Sequence, residues 1–182
     1  MNGMARNNET FEDILAVGGK SNSLGRASEV IESVLNNPSR LDELYKCIFA
    51  GNPWVRMRAI DSLEKICRLH PDWIEPYLDT ILSELTQSTQ ASIQWHLAQI
   101  FGEVSLSATQ NTKAISWLTK LITTTNVDWI VSVSAMKTLL AFNRNGLVDS
   151  NTLLPLFSAQ ERHNSHAVRK KAKAFMKELT TS

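Results

Sequence analysis

The chain is short of the residues on which most other fold classes depend. Seven glycines and five prolines in 182 residues are too few for an all-β protein, which spends such breakers on tight turns. Two cysteines, Cys47 and Cys67, cannot build a disulfide framework. Both stand among apolar residues at helical spacing and are expected to be reduced core thiols. No apolar run approaches the ~18 residues of a membrane span, and the N-terminal MNGMARNNETFEDI lacks the apolar stretch of a signal peptide. A cytoplasmic location with no membrane partner is expected. An excess of one charge is missing too, because 19 Lys and Arg against 18 Asp and Glu leave +1. The chain as a whole therefore has no electrostatic reason to bind nucleic acid or an acidic membrane. The charges are nevertheless uneven: residues 1–106 carry 9 basic and 14 acidic side chains (net −5), and residues 107–182 carry 10 and 4 (net +6).

What the chain does have is apolar residues, 43% of the total, mostly at three- and four-residue intervals, which predicts helices. They repeat on a longer scale. Val55, Ala59, Leu63 and Ile66 map, 38 residues on, to Ile93, Leu97, Phe101 and Val104. Another 38 give Val131, Ala135, Leu139 and Phe142, and 37 more give Val168, Ala172, Met176 and Leu179. All sixteen positions are apolar, and each set falls within about 80° on a wheel of 3.6 residues per turn, so each is one stripe of one helix. A second set alternates with the first: Leu41, Leu44 and Ile48; Leu78, Ile81 and Leu85; Ile115, Leu118 and Ile122; more loosely Leu153, Leu156 and Phe157. Each unit is therefore an A helix, a turn and a B helix, and neither helix can bury its stripe without its pair and its neighbours. Asn52-Pro53, Asn126 to Asp128 and Asn164-Ser165 punctuate the entries to B helices, and His70-Pro71-Asp72 separates one hairpin from the next.

The predicted A helices span 39–50, 72–87, 109–125 and 149–161, and the B helices 53–69, 90–105, 128–143 and 165–180. The repeats are thus about 39–69, 72–105, 109–143 and 149–180. A polar N-terminal segment, 1–23, holds a short amphipathic helix ending at Ile14, Leu15 and Val17. A single helical domain, 24–182, follows, with Ala27 to Leu35 as the helix that caps the first repeat.

The 37- to 38-residue period, the V-R-x-x-A-x-x-x-L pattern at Val55-Arg56 to Leu63 and again at Val168-Arg169 to Met176, and a proline within an A helix (Pro76, Pro155) resemble the HEAT repeat over about 140 residues. WVRMRAIDSLEKICRLHPDW and SIQWHLAQIFGEV are similar to segments of small microbial HEAT-repeat proteins. The middle repeats depart from the pattern, with Gln94 and Ser132 where Arg56 and Arg169 stand. The resemblance implies an all-α, right-handed α-solenoid of about four HEAT-like helical hairpins with an N-terminal capping helix, and a protein-binding role.

Signals for chemistry are thin. GGKS at Gly18 to Ser21 is read as a plain turn, because a phosphate-binding loop needs a glycine at position 14, where Ile14 stands, and no strand leads into it. Cys67-x-x-His70 and His163-x-x-His166 each lack two further metal ligands nearby, so Cys67 is expected in the core and His163 and His166 in solvent. Carboxylates such as Asp61 and Glu64 sit at ordinary exposed helical spacings. The chain is expected to be non-enzymatic, with no cofactor and no metal.

Two surfaces remain. Opposite the B stripes the wheel places Met57, Asp61 and Glu64; Trp95, Gln99 and Gly102; Val133, Lys137 and Leu140; and Lys170, Ala174 and Lys177. Met57, Asp61, Trp95, Gln99, Val133 and Lys137 are the candidate partner-binding residues, because an apolar strip with polar borders marks an interaction site and tryptophan is a frequent hot spot. Trp95 either stands open there or tips sideways into the packing, and its exposure decides between the two. The second surface is the run Arg162, Arg169, Lys170, Lys171, Lys173 and Lys177, which is either the solvated cap of the last repeat or a contact for phosphates or an acidic partner. Nucleic-acid binding through this basic face is the alternative function. HEAT-like DNA glycosylases hold DNA on Trp and basic residues, but no catalytic Asp in such a motif is recognisable here.

Overall fold

The computed structural model describes residues 9–18 and 23–181. Among them are ten α-helices and no strand, and they divide into two compact units, Met1–Leu69 and His70–Ser182. The first predicted repeat lies in the first unit and the other three in the second.

The first unit is built on α4 (Pro53–Leu69), which packs against α1 (Phe11–Ala16), α2 (Ala27–Asn36) and α3 (Leu41–Cys47). Helix α1 starts at a capping box, with Thr10 Oγ1 accepting from Asp13 N and Asp13 Oδ2 accepting from Thr10 N (3.2 and 3.0 Å). Its Phe11 and Leu15 are buried. Phe11 N donates to Glu43 Oε1 (2.7 Å), and the Arg40 guanidinium sits 3.8 Å over the Phe11 ring. Helix α1 is therefore docked on α3 and the residue before it. Of the GGKS segment only Gly18 is among the described residues; Gly19 to Ser21 lie outside them. Gly18 has φ +131°, and a side chain there would collide with the Gly25 backbone, so the two glycines close the base of this loop.

The second unit holds, in order, α5 (Leu78–Ser83), α6 (Ala91–Glu103), α7 (Ala108–Leu121), α8 (Trp129–Arg144), α9 (Ser150–Gln160) and α10 (His166–Thr181). Helices α7 and α8 pack as one pair and α9 and α10 as another, and α6 packs on the 3-10 turn that follows α5. Helix α6 packs on α8, α8 on α10 and α5 on α7, so B helices neighbour B helices. The second A helix differs from its predicted single span, 72–87. It is a 3-10 segment Pro71–Tyr77, the short α5 and a 3-10 turn Leu85–Gln87. Pro76 supplies no backbone N–H, which weakens an α-helical ladder at this point. Pro155, by contrast, stays within α9.

The repeat register matches burial. Of the sixteen B-stripe residues fourteen are buried, with Val104 and Met176 half-buried; Ile115 and Leu156 are the half-buried members of the A set. Val104 lies just beyond the end of α6.

A recurring hydrogen bond ties three of the four B helices to the turn before them. Arg56 Nη1 donates to Ala50 O and Gly51 O (2.8 and 3.0 Å), and Arg169 Nη1 to His163 O and Asn164 O (both 2.7 Å). Gln94, in the same register, reaches the corresponding carbonyl of Ser88 through Nε2 (3.1 Å). Ser132 is too short for that reach. It donates instead to Gln160 Oε1 (2.9 Å), while Gln160 Nε2 serves Ile122 O and Thr124 O (2.8 and 3.0 Å). The next carbonyl, Val127 O, is met by His163 Nε2 at 2.9 Å. Carbonyls shed by a helix end must find donors when they leave water, and here the following hairpin supplies what the missing arginine does not.

Candidate interaction surface

On α4 the predicted open face is partly closed. Met57 is half-buried. Asp61 is only 8% exposed and Glu64 2%, contrary to their expected exposure. Helix α4 is packed by three helices of its own unit instead of one, so little of its circumference is left for solvent. Each carboxylate is neutralised one turn on: Lys65 Nζ lies 2.7 Å from Asp61 Oδ2, and Arg68 pairs with Glu64. Asp61 is therefore largely buried and ion-paired within its own helix.

Arg58, which the helical wheel does not single out, is the largest fully buried side chain. Its Nε donates to Ser23 O (2.9 Å), Nη1 to Leu15 O (2.6 Å) and Nη2 to Gly18 O. One guanidinium thus gathers carbonyls from the end of α1 and from both sides of the following loop. Cys47 and Cys67 are both buried and reduced. Burial pushes the Cys47 thiol up to about 11, with the Glu12 and Glu43 charges adding to the effect.

In the second unit the face opposite the stripes is mixed in exposure. Trp95, Gln99 and Val133 are half-buried, and Lys137, Lys170, Ala174 and Lys177 are exposed; Leu140 is buried. The Trp95 ring stacks on buried His96, with centroids 3.4 Å apart. It is therefore held in place while part of it meets solvent. Helices α6 and α8 come close beneath this face. Thr138 Oγ1 donates to Ala98 O at 2.6 Å, and a Cβ at Gly102 would stand 3.4 Å from Thr138 Oγ1. The rungs bearing Trp95 and Gln99 on α6 and Val133 and Lys137 on α8 are adjacent as a result.

The basic run divides by role. Arg162, Lys170, Lys171, Lys173 and Lys177 are exposed, but the Arg169 guanidinium is committed to turn carbonyls. Lys173 Nζ lies 3.7 Å from Glu161, and Lys171 Nζ 5.8 Å from the Phe175 ring centroid. His166 is exposed. His163, expected in solvent, is 5% exposed. Its Nδ1 accepts from Ser165 N (2.9 Å), so the ring proton sits on Nε2 and is donated to Val127 O. It is a structural histidine, and the length of its side chain at the last turn puts it there. Among the described residues no three His, Cys, Asp or Glu side chains gather into a metal site, and no helix is long and apolar enough to cross a membrane.

Comparison with protein-family models, with curated proteins and with solved structures finds no match for this chain. Its reading rests on its own residues.

Proposed function

We propose that the chain is a HEAT-like right-handed α-solenoid, one domain over 24–182, that works as a non-enzymatic protein-interaction module. Its partner docks on the B-helix face of the second unit. The observation that carries this is Trp95: its ring stacks on His96 and is half-buried, beside Gln99 and with Val133 and Lys137 on the next rung. A partly desolvated tryptophan bordered by polar groups is the side-chain environment of a binding hot spot. The repeat period, the B-on-B packing and the arginine that caps turns in the first and last repeats support the HEAT reading.

The test uses wild-type and Trp95→Ala proteins of equal helicity, immobilised and exposed to extract of the source cell. A partner retained by the wild type at high salt should dissociate about thirtyfold faster from Trp95→Ala, the effect of losing ~2 kcal/mol of packing. Retention that ignores the substitution, or no retained protein, overturns the reading. The alternative, a nucleic-acid-binding solenoid, has one observation in its favour: Arg162, Lys170 and Lys177 are exposed and, among the described residues, make no ion pair. Binding of that kind weakens steeply as salt rises, whereas contact through Trp95 does not.

A further inference from the structure

The second unit carries two opposite charges that do not meet. Residues 70–106 contain Asp72, Glu75, Asp79, Glu84 and Glu103 and no Lys or Arg, a net −5. All five are exposed. Asp72 and Glu75 are one turn apart in a 3-10 segment and therefore eclipsed on one side of it. Asp79 Oδ1 accepts from the uncharged Gln110, and among the described residues none of the five has an ion pair. At the other end of the unit, α10 exposes Lys170, Lys171, Lys173 and Lys177. Among the described residues, Lys173 alone of the four has a carboxylate within 4.0 Å, Glu161 at 3.7 Å. The α7–α8 hairpin stands between the two groups, because α5 and α6 pack on α7 and α8, and α10 packs on α8 from beyond. Within one copy the acidic hairpin and the basic helix therefore cannot neutralise each other.

We propose that they do so between copies: the lysine face of α10 docks on the acidic 70–106 hairpin of a second copy of this chain. This goes beyond the partner reading and does not use Trp95. The contact joins two different patches, so it is heterologous and leaves a free acidic hairpin at one end and a free basic helix at the other. Association is head-to-tail and open-ended. Because every group involved is exposed, the attraction is weak per pair and screened by salt.

Sedimentation of the whole chain at ~20 mM and ~500 mM NaCl tests this. At low salt the average mass should climb with protein concentration, and at high salt it should return to that of the monomer. Lys170→Glu/Lys177→Glu and Glu75→Lys/Glu84→Lys each put like charges across the contact and should weaken self-association about tenfold or more. Mixing the two variants again pairs acid with base and should restore it. Circular dichroism establishes that both variants are folded. A wild type that stays monomeric at low salt overturns the proposal, as does association that ignores salt, or a mixture that stays monomeric. If the wild type stays monomeric but binds a 20-mer oligothymidylate through the same lysines, the face belongs to nucleic acid and the proposal falls.

Discussion

Arg58 shows how much one side chain does when it reaches where backbone cannot. With three of its nitrogens on the carbonyls of Leu15, Gly18 and Ser23, it replaces the water those oxygens would otherwise need. Arg58→Ala should cost about 3 kcal/mol or more, since each buried carbonyl left without a donor carries its own desolvation penalty. Chemical denaturation reads that cost, and limited proteolysis should cut near residues 18–25 in the variant first. Cys47 gives a pH signature of the opposite kind. Its thiol rises from an ordinary 9.0 to about 11 in the fold, so between those values the native chain keeps a proton that the unfolded chain has lost. Stability is intact below pH ~9 and falls as pH rises through the window. Cys47→Ala should remove that part of the alkaline slope, and an identical slope in both proteins would show that the burial of Cys47 is not its cause.

At the scale of helices, the second unit depends on seams in which little space is left. Ala135 is fully buried on α8, in the register that also holds Ala59, Leu97 and Ala172. Ala135→Leu should overpack α8 against its neighbours and destabilise by about 1 to 3 kcal/mol; an unchanged melting temperature would mean the 38-residue register is wrong. The turn between α7 and α8 is held by residues that come later in the chain, Gln160 and His163. Gln160→Ala leaves Ile122 O, Thr124 O and the Ser132 hydroxyl without this partner. A loss of about 2 kcal/mol should appear together with faster amide exchange across residues 122–128. The same substitution should leave the Gln94 and Arg169 turns as protected as before, because their donors are local.

Across the whole molecule the consequence of stacking is that no hairpin of the second unit is complete alone. Ending the chain at Asn126 removes α8, α9 and α10. It strips α6 of the helix it packs on at Ala98 and Gly102, and leaves Leu118 and Ile122 of α7, buried in the intact protein, without cover. Such a surface should drive aggregation. Size-exclusion chromatography and a thermal melt decide the matter: a monomeric, cooperatively melting 1–126 fragment would show that these repeats do not rely on their nearest neighbours.

The sequence by itself determined the helical class, the order of the hairpins and the buried stripes, because a period of 3.6 within a helix and of 37 to 38 between helices is a property of neighbouring residues along the chain. It also placed Trp95, Gln99, Val133 and Lys137 opposite the buried stripes, since that follows from the same wheel, but it left open how far Trp95 meets solvent. Tertiary structure alone decided which residues off the stripes lose their water. Asp61 and Glu64 do so because three helices, not one, pack on α4; Arg58 because the carbonyls of Leu15, Gly18 and Ser23 come to it; His163 because the turn before α8 needs a donor that Ser132 is too short to give. These depend on which distant segment arrives, and no local period encodes that.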